Sequence, residues 1–216
     1  GPSTSTVSAI DRRQFLQRAI AAGAGTAVIP AAMVSAQPAK PGASPYGDLA
    51  SEPDENGLLL PEGFTSRIIA VGGESVADTG YAWHAFPDGA ATFPVDDGGW
   101  IYTCNSEVTA LFAPDQGGVS AIRFDADGEV VDAYRILEGS TSNCAGGPTP
   151  WGTWMSCEEP IDKRGRLWEC DPTGKKKAVA HEAMGLWNRE AAAVDPDGEA
   201  VYMTEDDPEG LLYRYT

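Results

Sequence analysis

The sequence predicts an all-β protein, and more specifically about three blades of a β-propeller. Three segments share one pattern, in which an aromatic-bearing strand runs into acidic and metal-binding side chains at intervals of roughly 50 residues. They begin at Tyr102, Trp154 and Tyr202. A second strand signal follows each segment, and these signals begin at Gly118, Gly165 and Gly210. Repeats of this length built from strands alone are typical of propeller blades, so we expect equivalent side chains to converge on one axis.

The first 36 residues predict a twin-arginine export signal. Arg12 and Arg13 are separated from Phe15 by Gln14 alone, and an alanine-rich apolar run extends from Ala19 to Val34. The small residues around Ala36 suit a signal peptidase. Glycines and a proline break the apolar run, which is short for a bilayer, so we expect no stable membrane anchor after cleavage. This pattern predicts a periplasmic or secreted protein.

Residues 37–57 are rich in Pro, Ala, Gly and acids, and predict a flexible linker. Residues 58–216 predict the N-terminal half of a propeller domain, because the third repeat reaches the end of the chain at Thr216. We therefore expect the chain to be a fragment of a longer propeller.

Alternating or β-branched residues predict the individual strands of this domain. These are Ser66–Val71, a short strand or turn at Tyr81–Phe86, Trp100–Thr103, Val119–Phe124, Glu129–Ile136 and Ala191–Val194. The signals at 87–89, 125–128 and 195–198 predict turns, and the two Asp-x-Asp-Gly sequences lack the later acidic ligands of a calcium loop. The glycines at 146–152 predict a turn where the backbone comes close to the axis.

The charge of the chain restricts its partners. Fifteen basic residues against 32 acidic ones give a net charge of −17. Such a surface repels nucleic acid and anionic lipid, and its self-repulsion favours a monomer. An anionic substrate would need a bound metal ion to reverse the local sign of the charge.

The aligned repeats bring several candidate metal ligands to equivalent positions. The carboxylates suit calcium, and a thiolate beside carboxylates admits iron. The candidates from the aligned segments are Glu107, Cys157, Glu158, Glu159, Glu205 and Asp206. For any single acid the alternative is a solvated residue on the rim, because charged side chains are mostly exposed.

Glu190 and Arg189 are further candidates. Glu190 stands between Trp187 and an apolar run, so we expect it to point inward, where it needs either Arg189 or a metal ion as a partner. Arg189 is also a candidate for binding an anion near the metals, which would make it a catalytic residue.

Other catalytic signatures are missing from the sequence. No Gly-x-Ser-x-Gly, His-Glu-x-x-His or Gly-Lys-Ser/Thr motif is present, which excludes the common serine-hydrolase, zinc-peptidase and P-loop sites. The four cysteines have no Cys-x-x-Cys spacing, so a structural zinc site is not indicated, and disulfides remain possible in an oxidising compartment.

Residues 143–159, with the sequence Asn-Cys-Ala-Gly-Gly-Pro-Thr-Pro-Trp-Gly-Thr-Trp-Met-Ser-Cys-Glu-Glu, closely resemble the signature of the PhoX-type alkaline phosphatases, a twin-arginine-exported bacterial family. The segments around 87–107, 189–196 and 201–206 are similar to that family as well. The family's usual Asn-His-Glu is here Asn105-Ser106-Glu107.

The resemblance implies a β-propeller whose axial cofactor combines Fe3+ and Ca2+ and hydrolyses small phosphate monoesters. By resemblance, Cys157 is the thiolate that bridges the irons. The carboxylate ligands it implies are Glu158, Glu190 and Glu205, followed by Glu107, Glu159 and Asp206.

The sequence therefore supports the hypothesis that the parent protein is an exported, metal-dependent alkaline phosphatase, of which this stretch alone is inactive. Two alternatives stay open. One is a calcium-dependent propeller that acts on lactones or sugar esters, and the other is a non-catalytic propeller that binds a partner.

Overall fold

The computed structural model describes residues 45–113 and 116–216. The predicted signal at 1–36 and the first part of the predicted linker at 37–57 lie outside these residues. The chain divides into two units after Thr65. Within the described part of the first unit, Leu49 and Pro61 form an isolated antiparallel bridge, and the rings of Tyr46 and Phe64 meet edge to face at 5.4 Å.

The second unit is built from strands, which confirms the predicted all-β class. Across the described residues there are eleven strands and one short 3-10 turn at Glu182–Met184, with no α-helix. The strands are β1 (Pro87–Pro94), β2 (Trp100–Ser106), β3 (Gly117–Phe124), β4 (Val130–Ser140), β5 (Asn143–Pro148), β6 (Trp154–Glu158), β7 (Leu167–Cys170), β8 (Val179–Ala180), β9 (Ala192–Val194), β10 (Val201–Thr204) and β11 (Leu212–Tyr215). No helix in the described part of the chain is long and apolar enough to cross a membrane.

The strands form three successive antiparallel meanders, which are blades of a β-propeller. The sheet orders are β1-β2-β3-β4, β5-β6-β7-β8 and β9-β10-β11. The three aromatic-acidic segments supply the second strand of each sheet, and the three later signals supply the third strand. The predicted repeat and its phase are therefore confirmed.

Buried side chains fill the spaces between consecutive sheets. One cluster joins β1–β4 of the first sheet to Trp154 and Cys170 of the second. Another joins Met155 and Cys157 of β6 to Met203 of the third sheet. Successive side chains of a strand point to opposite faces. Trp154 therefore packs against the first sheet, while Met155 and Cys157 pack against the third.

Three local predictions differ from the structure. The predicted strand Ser66–Val71 is wrong, because this segment pairs with no strand among the described residues. Conversely, the turn predicted at 87–89 lies inside β1, and the glycines at 146–147 lie inside β5. A Cβ on Gly146 would come within 1.8 Å of the Met155 carbonyl oxygen, and one on Gly147 within 1.9 Å of the Ala192 carbonyl oxygen. Close backbone packing thus requires glycine inside this strand, and it outweighs the local preference for a turn.

The two Asp-x-Asp-Gly segments form turns, as predicted. Asp125 closes its turn by accepting bonds from the N–H groups of Asp127 and Glu129. Asp195 accepts the equivalent bond from the N–H of Glu199. Their carboxylates therefore serve the hairpin turns.

Candidate metal centre

Four carboxylates and one thiol converge at one place in the second unit. They form two sets in which the possible ligand atoms all lie within 4.8 Å of one another. One set is Asp88, Glu107 and Cys144, and the other is Cys144, Glu159 and Glu190. The Cys144 sulfur lies 3.3 Å from Glu190 Oε2 and 3.7 Å from Asp88 Oδ2. Cys144 thus connects the two sets.

Bulges at the start of two first strands place Asp88 and Cys144. In the first sheet Pro87 pairs with Ser106, and the register shifts before Ala90. In the second sheet Asn143 pairs with Glu158, and the register shifts before Gly146. Asp88 therefore lies in the irregular segment between Pro87 and Ala90, and Cys144 lies in the one between Asn143 and Gly146. Bulges of this kind change the direction of a side chain and are common beside functional sites.

The acids that follow the second strands are held by a repeated backbone contact. The N–H of Glu107 donates to the carbonyl of Phe86 at 2.9 Å, and the N–H of Glu159 donates to the carbonyl of Ser142 at 2.8 Å. Both acceptor residues have left-handed backbones, with φ of 50° at Phe86 and 47° at Ser142. The same local geometry therefore fixes one acid in each of the first two sheets.

Glu190 is fixed by two backbone bonds to neighbouring sheets. Its carbonyl accepts a bond from the N–H of Ala145 at 3.1 Å, and its own N–H donates to the carbonyl of Thr204 at 2.9 Å. The residue therefore ties the second sheet to the third while its carboxylate meets Cys144.

Asn105 supports the backbone of Cys144 from behind. Its Nδ2 donates to the carbonyls of Cys144 and Ala145, each at 2.8 Å. Its Oδ1 accepts bonds from Trp154 Nε1 at 2.8 Å and Ser156 Oγ at 2.9 Å. A buried amide with all these partners is rigid, so the position of Cys144 is set before any ligand binds.

The electrostatics of the cluster favour a bound cation. Burial raises the pKa of Glu107, and the neighbouring Asp88 and Glu190 add to this effect. Burial and the nearby Glu190 and Asp206 raise the pKa of Glu159 to about 7. Burial and contact with Glu190 also raise the pKa of the Cys144 thiol.

Among the residues that the structure describes, no ion pair with a basic side chain offsets the negative charge of the cluster. The ion pairs within the described residues involve none of the five groups. Carboxylates suit calcium, and a thiol among carboxylates suits iron, so the donor set fits both predicted metals.

A cavity of about 440 Å³ lies over these acids. Its lining includes the carboxylates of Glu107, Glu159 and Asp206. Phe86, Phe112 and Ile161 form its apolar part, together with Thr109 and Ser142. A small ester could therefore reach the acids from this side.

The structure brings together three predicted ligands and places a fourth nearby. Glu107, Glu159 and Glu190 belong to the cluster, and Asp206 lines the cavity above it. Sequence reasoning missed Asp88 and Cys144. Asp88 looked like part of a turn, and no acid adjoins Cys144 in the sequence. No local sequence signal marked either residue, because the strands that carry them contain Pro and Gly.

Cys157 and Glu158 lie in different surroundings. Cys157 is fully buried in the apolar cluster between the second and third sheets. The Glu158 carboxylate accepts bonds from Ser140 Oγ at 2.6 Å, Trp168 Nε1 at 2.8 Å and the N–H of Arg166 at 2.8 Å. Neither side chain belongs to the two ligand sets among the described residues.

Glu205 also makes protein contacts outside the ligand sets. Its Oε2 accepts bonds from the N–H of Leu211 and the hydroxyl of Tyr213, each at 3.3 Å.

Arg189 is fully buried and holds a loop. Its guanidinium donates to the carbonyls of Gly165 at 2.5 Å, Met184 at 2.6 Å and Gly185 at 2.9 Å. It also lies 4.2 Å from the ring centre of Trp187. These contacts give it a structural role, in contrast to the predicted contact with a substrate anion.

Comparison with solved structures finds a limited likeness to a GH43_1 enzyme from Xanthomonas citri. The TM-score is 0.33 and the sequence identity 13%, over 56% of this chain and 40% of that one. The chain thus spans less than half the length of that enzyme. No curated protein is similar enough in sequence to count as a match.

The family model described as alkaline phosphatase PhoX matches residues 103–216, which is more than half of the chain. The match includes most of β2 and all of β6 and β10. It also includes four of the five clustered side chains, Glu107, Cys144, Glu159 and Glu190. The chain therefore belongs to the PhoX alkaline phosphatase family.

Proposed function

We propose that the full-length protein hydrolyses phosphate monoesters at a centre of Fe3+ and Ca2+ held by this cluster. The observation that supports it best is the pair of ligand sets sharing Cys144 in a chain of an alkaline phosphatase family. The predicted thiolate ligand then becomes Cys144 in place of Cys157.

The donor types suggest how the metals divide among the side chains. Cys144, with its neighbours Glu159 and Glu190, offers the sulfur and oxygen atoms that suit iron. Asp88 and Glu107 add the carboxylate oxygens that suit calcium. When bound, such cations supply the positive charge that stabilises the phosphate oxygens of a substrate.

Two asparagines hold the proposed metal ligands in position. Asn188 donates to Glu159 Oε1 at 3.2 Å and so restricts that carboxylate. Asn105 fixes the backbone at Cys144. Because these groups are positioned in advance, little reorganisation would accompany binding of a phosphate.

We also propose, from the N-terminal sequence pattern, that the protein is exported through the twin-arginine route and acts in the periplasm or outside the cell as a monomer. The four cysteines are free and buried in this structure. Free thiols are compatible with export in the folded state with metals already bound.

Hydrolysis of p-nitrophenyl phosphate by the full-length protein tests the function. We expect activity that a chelator abolishes and that added calcium and iron restore. Glu159→Gln should lower kcat/KM by at least about a hundredfold, whereas Glu199→Gln, an exposed acid outside the cavity, should leave it unchanged. A metal-loaded protein that leaves this ester intact but opens a lactone would favour the lactonase alternative.

A further inference from the structure

The cavity over the acids has an exposed aromatic wall. The Phe86 and Phe112 side chains are 59% and 76% exposed. Their rings are nearly parallel, at 14°, with centroids 6.3 Å apart. Both line the same cavity as Glu107 and Glu159. Adjacent exposed aromatic rings beside polar groups are typical of a ligand-binding surface.

Phe86 occupies a backbone conformation that a bulky side chain disfavours. Its φ is 50°, and a residue with a large side chain is rarely found there. The equivalent residue of the second sheet is Ser142, with φ of 47° and the same carbonyl contact to the following acid. The left-handed backbone is therefore found at both Phe86 and Ser142, and of these two residues Phe86 alone carries an aromatic ring.

Two hydrogen bonds fix the Phe86 segment relative to the acids. The N–H of Glu107 donates to the Phe86 carbonyl at 2.9 Å. The Ser106 hydroxyl donates to the Ala85 carbonyl at 2.9 Å. The aromatic ring is thus held beside a proposed metal ligand by the end of β2.

The charge of the lining restricts what these rings can contact. The charged side chains of the cavity are all acids, Glu107, Glu159 and Asp206. Such a lining repels an anionic leaving group, while exposed rings favour an apolar or aromatic one.

We propose that Phe86 and Phe112 form a subsite for the alcohol portion of the phosphate ester, and that it selects aryl esters over esters of polar polyols. This inference rests on the proposed phosphatase function. The phosphate would lie toward the acids and their metals, and the aromatic leaving group would contact the two rings.

The test compares two esters, p-nitrophenyl phosphate and glycerol phosphate, in the metal-loaded full-length protein. Phe86→Ser copies the residue that the second sheet carries at the equivalent position, so the backbone should tolerate it. We expect Phe86→Ser and Phe112→Ala each to raise KM for the aryl ester about threefold to tenfold, with kcat retained. KM for glycerol phosphate should stay the same.

Val131→Ala is the matched control, since Val131 is an exposed apolar residue on β4 that does not line this cavity. It should change neither KM. The melting temperature of each variant shows that the fold is retained.

Three outcomes are distinguishable. Equal changes for both esters, or none for either, would overturn the subsite while leaving the phosphatase function intact. If the parent protein hydrolyses neither ester, the proposed function fails, and calorimetric binding of phenylphosphonate and methylphosphonate then tests the subsite. Phenylphosphonate should bind more tightly than methylphosphonate to the parent protein, and Phe86→Ser and Phe112→Ala should each reduce that preference. Equal affinities would overturn the inference.

Discussion

At the scale of single residues, strand alternation separates the two cysteines of the signature segment. Met155 and Cys157 lie on the same face of β6, which packs into the core between the second and third sheets. Cys144 lies in the bulge of β5, where regular alternation is broken and the side chain meets acids. The neighbouring Glu158 and Glu159 in the sequence therefore suggested Cys157 as a metal ligand, although its side chain lies in an apolar environment.

His84 should make stability depend on pH. Burial, and then the charge of Arg135, lower its pKa from 6.5 to about 4. Its Nδ1 lies 2.7 Å from Ser120 Oγ, which also contacts Tyr81 and Arg135. Because the folded pKa is below the unfolded one, the stabilisation is fully present above pH 6.5 and is lost as pH falls toward 4.

Urea unfolding between pH 4 and pH 8 measures this effect. We expect the parent protein to lose roughly 2 kcal/mol more than His84→Gln over that interval. His181→Gln should keep the loss, since it leaves His84 in place. An identical pH dependence in the parent and His84→Gln would rule out this explanation.

Arg189 should stabilise the fold without contacting the substrate. Arg189→Met keeps the length of the side chain but leaves the carbonyls of Gly165, Met184 and Gly185 without a donor. We expect the free energy of unfolding to fall by about 3 kcal/mol. The exposed Arg164→Met should change it little. Unchanged stability together with a much higher KM for phosphate esters would instead support an anion-binding role.

At the scale of elements, the first strands of the first two sheets were the hardest to predict, whereas β9 was predicted as Ala191–Val194. The regular spacing of the three aromatic-acidic segments correctly located β2, β6 and β10, and with them Glu107 and Glu159. The segments of β1 and β5 contain Pro and Gly, which locally favour turns. Their pairing depends on contacts with distant strands, so the bulges that position Asp88 and Cys144 have no local signal.

The close approach between first strands gives a test at this scale. A Cβ on Gly147 would lie 1.9 Å from the Ala192 carbonyl oxygen of β9, and a backbone atom there cannot move aside easily. We expect Gly147→Ala to lower the free energy of unfolding by about 3 kcal/mol. Gly72→Ala, whose Cβ would meet ordinary contact distances, serves as the control. Equal urea midpoints for both variants would show that the sheets do not pack as described.

At the scale of the whole molecule, the net charge of −17 and the acid cluster both indicate that binding of a phosphate requires metal cations. A phosphate would be repelled by both unless cations reverse the sign of the field at the site. Composition alone predicted this need, and the repeat predicted that acids would meet. Which thiol joins them depends on the packing of three sheets, and only the structure identifies Cys144.

The most direct test of the cluster is the iron content of the purified full-length protein in two variants, Cys144→Ser and Cys157→Ser. We expect Cys144→Ser to lose at least about 90% of its iron. Cys157→Ser should keep the parent's metal content and lose only about 1–2 kcal/mol of stability from a buried hydroxyl. Iron retained in Cys144→Ser and lost in Cys157→Ser would contradict the proposed centre.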